Sequence, residues 1–154
     1  MTELAAGAKA PAFKLSNQDG SEVSLADYKG KKLVLYFYPA ASTPACTKEA
    51  VDFKDALGVL GKAGYTVVGV SPDSVSKISK FHSSQKLGFD LLSDEDHSVH
   101  KLYGAFGKKS MYGRIYEGVI RSTFVIDETG KISMPLYNVR ATGHVAMLLK
   151  LLEL

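Results

Sequence analysis

This chain of 154 residues is short of cysteine, tryptophan and long apolar runs, and each shortage excludes something. Cys46 is its only thiol, so no intramolecular disulfide can close and a small cross-linked secreted scaffold is excluded. A reducing cytosol is the natural compartment, and a cytoplasmic protein is expected. No apolar run approaches the ~20 residues of a membrane-spanning helix. The opening stretch MTELAAGAKAPAFKL lacks a basic segment followed by an apolar one, so it does not read as a secretory signal. It is also too acidic and too poor in arginine for a transit peptide. Charge is not concentrated either. The 19 Lys and Arg against 16 Asp and Glu leave a net +3, and the longest basic runs are Lys31-Lys32 and Lys108-Lys109. Nucleic-acid binders gather their cations into a patch or stripe, so neither a nucleic acid nor a membrane is an expected partner. Linkers, low-complexity stretches and internal repeats are absent. Residues 1–154 therefore read as a single domain, large enough to bury roughly 70% of its unfolded surface.

What is present is an alternation of strand and helix patterns. PAFKLSNQDGSEVSL reads as a hairpin around Asp19-Gly20. KKLVLYFYP is a nearly continuous apolar run ended by Pro39, which suits a strand buried on both faces. A helix is expected from about Thr43 to Lys62, closed by Gly64, with Cys46, Ala50, Phe53, Leu57 and Leu60 along one apolar stripe. YTVVGVS reads as a second buried strand, DSVSKISKFHSSQKLG as a helix ending at Gly88, FDLLS as a third strand and DHSVHKLYG as a short helix. GVIRSTFVIDETGKISMPLYNV reads as two strands turning around Thr129-Gly130, and GHVAMLLKLLEL as a closing amphipathic helix. The fold class is α/β: a central mixed sheet flanked by helices, extended by an N-terminal hairpin.

Position gives the thiol a meaning. With Thr43 as N-cap, Pro44 falls at the first helical position, where its missing N–H costs nothing, and Cys46 at the third. First-turn N–H groups lack intrahelical acceptors and, with the helix dipole, favour an anion, hence thiolate over thiol. A lone cysteine is also commonly a small buried hydrophobe, and position alone leaves both readings open. Thr43 can cap the helix or hydrogen-bond something over the sulfur. Arg121 stands among Val119, Ile120, Phe124, Val125 and Ile126, where a buried arginine needs a paired anion unless it reaches solvent from a sheet edge. Glu49, three residues after Cys46, is placed either to hold Arg121 or to complement the helix dipole.

Pro39, Thr43 and Cys46 spell P-x-x-x-T-x-x-C, which resembles the active-site signature of peroxiredoxins, thiol peroxidases of thioredoxin fold. The longer stretches LYFYPAASTPACTKEA and KKSMYGRIYEGVIRSTFVID resemble the bacterioferritin-comigratory-protein (PrxQ) branch. The resemblance covers nearly the whole chain. It implies that Cys46 is the peroxidatic thiolate, attacking the terminal oxygen of a hydroperoxide to become a sulfenic acid. Thr43 and Arg121 would hydrogen-bond the peroxide oxygens and the sulfur, Pro39 would shield the pocket and Glu49 would position Arg121. No metal or organic cofactor is required. Many members of the branch carry a resolving cysteine five residues after the first. Here that position is Val51, so the sulfenic acid would be reduced by an external thiol: a thioredoxin, a glutaredoxin-like protein or a low-molecular-weight thiol. A monomer or weak homodimer is expected. The alternative is a non-catalytic redox sensor whose sulfenic acid forms a mixed disulfide with a partner.

The remaining candidates are weaker. His97 and His100 are three apart on a short helix, but no further ligand completes a metal motif, and surface histidines are expected at these positions and at His82 and His144. The absence of C-x-x-C argues against a disulfide reductase. Tyr38 is expected to fill the core. Met111, Tyr112 and Tyr116 fall in a stretch read as irregular, either an apolar rim for larger hydroperoxides or loop packing.

Overall fold

The computed structural model describes residues 3–154. Its central sheet has seven strands in the order β2-β1-β5-β4-β3-β8-β9. The first two, β1 (Lys14–Asn17) and β2 (Glu22–Ser24), form the expected hairpin. Asn17 closes its turn by accepting from the N–H groups of Asp19 and Ser21 at 2.9 and 3.1 Å. The strands β3 (Lys32–Phe37), β4 (Tyr65–Ser71) and β5 (Asp90–Ser93) run parallel. On the other flank of β3, β8 (Ser122–Ile126) and β9 (Ile132–Leu136) run antiparallel, which makes the sheet mixed.

Because successive side chains alternate across a strand, β3 feeds two separate cores. Val34, Tyr36 and Tyr38 pack with α1 (Pro44–Lys62), α2 (Val75–Gln85) and α4 (His144–Leu151) through Phe53, Leu60, Ile78, Phe81 and Leu148. Leu33, Leu35 and Phe37 face the opposite layer, with Val99 and Tyr103 from α3 (Ser98–Leu102) and its end. Gly69 on β4 is dictated by this packing: a Cβ there would stand 2.9 Å from the ring of Tyr36, which stacks on Phe53 at a centroid distance of 4.5 Å. Tyr38 is fully buried, in the core as expected.

Two readings need correction. The helix α2 stops at Gln85 rather than at Gly88: Lys86 itself takes the left-handed cap conformation (φ 51°), and the N–H groups of Lys86 and Leu87 bond the carbonyls of Ser83 and His82. The stretch before Arg121 is not irregular. It is a two-stranded antiparallel ribbon, β6 (Phe106–Met111) and β7 (Arg114–Val119), joined through Tyr112 and Gly113, both at positive φ. Arg121 therefore does not sit mid-strand. It occupies the break between β7 and β8, where its carbonyl accepts from Val139 N–H at 3.0 Å and pairing of β8 with β3 begins only at Ser122. Released from the ladder, its side chain can turn towards α1. No helix among the described residues is long and apolar enough to cross a membrane.

Candidate active site

The carboxyl ends of the parallel strands and the start of β8 meet at one end of the sheet, and the thiol lies there. Thr43 (φ −82°, ψ 154°) is the N-cap of α1, Pro44 its first residue and Cys46 its third. The first helical bond runs from Thr47 N–H to the Thr43 carbonyl at 2.8 Å, which leaves the N–H groups of Ala45 and Cys46 without a backbone or side-chain acceptor. Cys46 is 1% exposed. The Thr43 hydroxyl does not cap the helix. It donates to the Ala40 carbonyl at 2.9 Å, so its lone pairs remain available to accept.

The loop that delivers Thr43 is tied down from below. Ala41 N–H donates to Asp73 Oδ2 at 2.7 Å, and the same oxygen accepts from the Ser71 hydroxyl at 2.9 Å. Ser42, directly before the cap, is held in the left-handed region (φ 65°), a conformation that a residue with a Cβ adopts only under such constraint. Pro39, half-buried, ends the β3 segment. Asp73 escaped the sequence reading, although a carboxylate directly after a Ser-Pro strand end is a usable signal for anchoring a neighbouring loop.

Arg121 and Glu49 complete the constellation. Arg121 Nη1 donates to Glu49 Oε1 at 2.6 Å and Nη2 approaches Cys46 Sγ at 3.4 Å, which sets the guanidinium between carboxylate and sulfur. The arginine side chain is 14% exposed and Glu49 fully buried. Burial pushes the Glu49 carboxyl up to about 7 despite the facing Arg121, and its second oxygen has no hydrogen-bond partner. The guanidinium of Arg121 is held above its ordinary value, because Glu49 and Cys46 outweigh its own desolvation. One strand register along, Thr123 Oγ1 and His144 Nε2 lie 2.7 Å apart. His144 is fully buried, and burial together with Arg121 brings it down to about 4, so the ring is neutral. The expected surface position is wrong for His144, as it is for His100, which is buried and bonded through Nδ1 to Asp94 at 2.6 Å. Both were missed for one reason: a single polar residue in a short segment carries no period from which to read burial. Tyr112 is 99% and Tyr116 40% exposed, out on the β6–β7 ribbon, while the Met111 side chain lies outside the described residues. Among the described residues no group of three His, Cys, Asp or Glu is arranged to hold a metal.

The sequence profile of the AhpC/TSA family matches residues 6–134. A Mycobacterium tuberculosis protein named as a peroxiredoxin is 58% identical over 147 residues, 96% of this chain and 94% of that one. The chain belongs to the peroxiredoxin family. The Escherichia coli peroxiredoxin Bcp is 42% identical over 153 residues, 99% and 98% of the two chains. In three dimensions this peroxiredoxin is similar to the Xanthomonas campestris bacterioferritin comigratory protein, with a TM-score of 0.86 and 35% identity over 92% of this chain and 90% of that one. That structure was described in terms of alkyl peroxide reduction. The likeness places this peroxiredoxin in the PrxQ branch, with a thioredoxin-like fold and a thiol-peroxidase activity, and its one cysteine fits the one-cysteine type.

Proposed function

We propose that this peroxiredoxin reduces hydrogen peroxide and organic hydroperoxides through Cys46, in the cytosol and as a single-domain chain, with an external thiol completing the cycle. The observation that carries the reading is the bridge from Glu49 through Arg121 to the Cys46 sulfur, 2.6 Å on one side and 3.4 Å on the other. In the first step the Cys46 thiolate attacks the terminal oxygen of ROOH. The S–O bond forms as the O–O bond breaks, sulfur is oxidised to the sulfenic acid, and the departing oxygen takes a proton to leave as ROH.

Charge develops on that departing oxygen, and donors fixed beforehand stabilise it. Arg121 Nη2 and the unpaired N–H groups of Ala45 and Cys46 are the donors on offer. Thr43 has spent its proton on Ala40, so it acts as an acceptor for the terminal O–H of the peroxide and orients that oxygen toward the sulfur. Pro39 shields the sulfur from bulk water, and Glu49 positions Arg121. With Val51 where a resolving cysteine would stand, the sulfenic acid meets a second thiol from outside, R′SH, giving a mixed disulfide and water. A thioredoxin-type protein, a glutaredoxin-like protein or a small thiol then regenerates Cys46.

The test is turnover. With dithiothreitol as reductant the wild-type protein should consume many equivalents of hydroperoxide and Cys46→Ser none. Excess peroxide should add two oxygens to the intact mass, because the sulfenic acid waits for an external partner and over-oxidises to sulfinic acid. A single equivalent consumed, followed by a stable adduct with one partner protein, would support the sensor reading and sink this one.

A further inference from the structure

We propose that one face of the β6–β7 ribbon is the docking surface for the external reductant, and that this reductant is an acidic dithiol protein of the thioredoxin class. The proposal rests on the peroxidase reading above. The ribbon leaves the body where Ile120 N–H bonds the Ala105 carbonyl at 2.8 Å, and its second strand ends two residues before Arg121. It is thus rooted beside Arg121, whose Nη2 lies 3.4 Å from the sulfur. Six residues of each strand extend about 20 Å, and β7 is exposed from Arg114 to Glu117, on both of its faces. A two-stranded ribbon alone is at best marginally stable in water, so one held out from the core with Tyr112 99% and Tyr116 40% exposed is suited to be covered by something else.

The two faces differ in what they would accept. Directly opposite residues of an antiparallel pair share a face. Lys108 stands opposite Glu117, and Ser110 opposite Ile115, so that face cancels its own charge. The other face carries Lys109 opposite Tyr116, with Arg114 one pleat further and only glycines, Gly107 and Gly118, nearer the body. Lys109 lies over the Tyr116 ring at 5.9 Å. Two cations and an aromatic ring, with no acid among them, fit a partner that brings carboxylates around an apolar centre. A second copy of this chain, itself at net +3, would bring more positive charge to that face. The single cysteine supplies the need: Cys46 sulfenic acid and one thiol of the partner condense to a mixed disulfide with loss of water. The partner's second thiol then displaces Cys46 as thiolate and leaves the partner oxidised.

The experiment pairs two reductants on the full chain. Protein oxidised with one equivalent of hydroperoxide is mixed in stopped flow with a pre-reduced thioredoxin of net negative charge, or with dithiothreitol. For the double variant Lys109→Glu, Arg114→Glu the thioredoxin rate constant should fall by at least about tenfold and lose its salt dependence. The dithiothreitol and peroxide rate constants should stay at wild-type values, which also shows the variant to be folded. The charge swap Lys108→Glu, Glu117→Lys, which keeps that face self-neutralised, should leave all rates unchanged. Equal thioredoxin rates for wild type and double variant overturn the proposal, as does a wild type that dithiothreitol sustains and thioredoxin does not. A ribbon that instead joins two copies would show as a dimer in sedimentation that the double variant dissociates, and that also overturns it. Loss of turnover with every reductant would instead count against the peroxidase reading itself.

Discussion

Two buried carboxylates stand at the same end of the sheet, on opposite faces, each paired with a base. Asp94 accepts from the backbone N–H groups of Val99 and His100 at 3.2 and 2.8 Å, from the Ser98 hydroxyl at 3.3 Å and from His100 Nδ1 at 2.6 Å. Burial would raise its pKa, but these bonds win and hold the carboxyl below its ordinary value, while burial keeps His100 low and neutral. Glu49 has one partner, Arg121, and a second oxygen with none, and burial carries it up to about 7. Asp94 is satisfied by its own following helix and closes a turn. Glu49 is left short, and what it holds is a guanidinium whose other arm reaches a thiol. Buried groups with incomplete partners are where a fold departs from its most stable arrangement, and such departures gather at sites of chemistry.

Substitutions should separate the two. Arg121→Ala removes the cation in contact with the sulfur and should lower the rate constant for hydroperoxide by about 10²–10³, read by single-turnover kinetics; the stranded Glu49 carboxyl, already raised to about 7, takes up a proton, which limits the fall in melting temperature. Asp94→Ala should do the reverse. Removing this carboxylate strands several buried donors at about 1–3 kcal/mol each, read from chemical denaturation, while the peroxide rate constant of the folded fraction stays at the wild-type value. A large rate loss in Asp94→Ala would dissolve the contrast.

Glu49→Gln should have the smallest effect and sharpen the comparison most. The folded-state value near 7 lies above the ordinary 4.5, so Glu49 is the neutral acid below that pH and the carboxylate above it. The ion pair with Arg121 therefore exists above about pH 7 and is lost as pH falls through it. Glutamine mimics the acid form at every pH. The ratio of wild-type to variant rate constants should be about ten at pH 8 and approach one below pH 6, and taking the ratio cancels titrations common to both proteins. A ratio independent of pH would remove Glu49 from the device.

The sequence made much of this arrangement legible. Thr43-Pro44 set the start of α1 and put Cys46 on its third residue because a proline at the first helical position is a local signal. The apolar run from Leu33 to Tyr38 identified a central strand because a continuous apolar run fits a strand buried on both faces. The β6–β7 ribbon stayed hidden because its turn is Tyr112-Gly113, with a tyrosine in the left-handed position where asparagine or aspartate gives the usual signal, and because lysines and glycines break its alternation. The true setting of Arg121 depended on that ribbon, and the anchoring of Ala41 by Asp73 spans 32 residues, beyond any local pattern.

In the proposed function Cys46, flanked by Arg121 and the open first turn of α1, captures peroxide ahead of ordinary thiols. The most direct test mixes reduced protein with a large excess of free cysteine, adds one equivalent of hydrogen peroxide per protein, blocks with a sulfenic-acid trap and reads the intact mass. Most of the peroxide should be found on Cys46 despite the excess thiol. Unmodified protein, with the free cysteine oxidised instead, would contradict it.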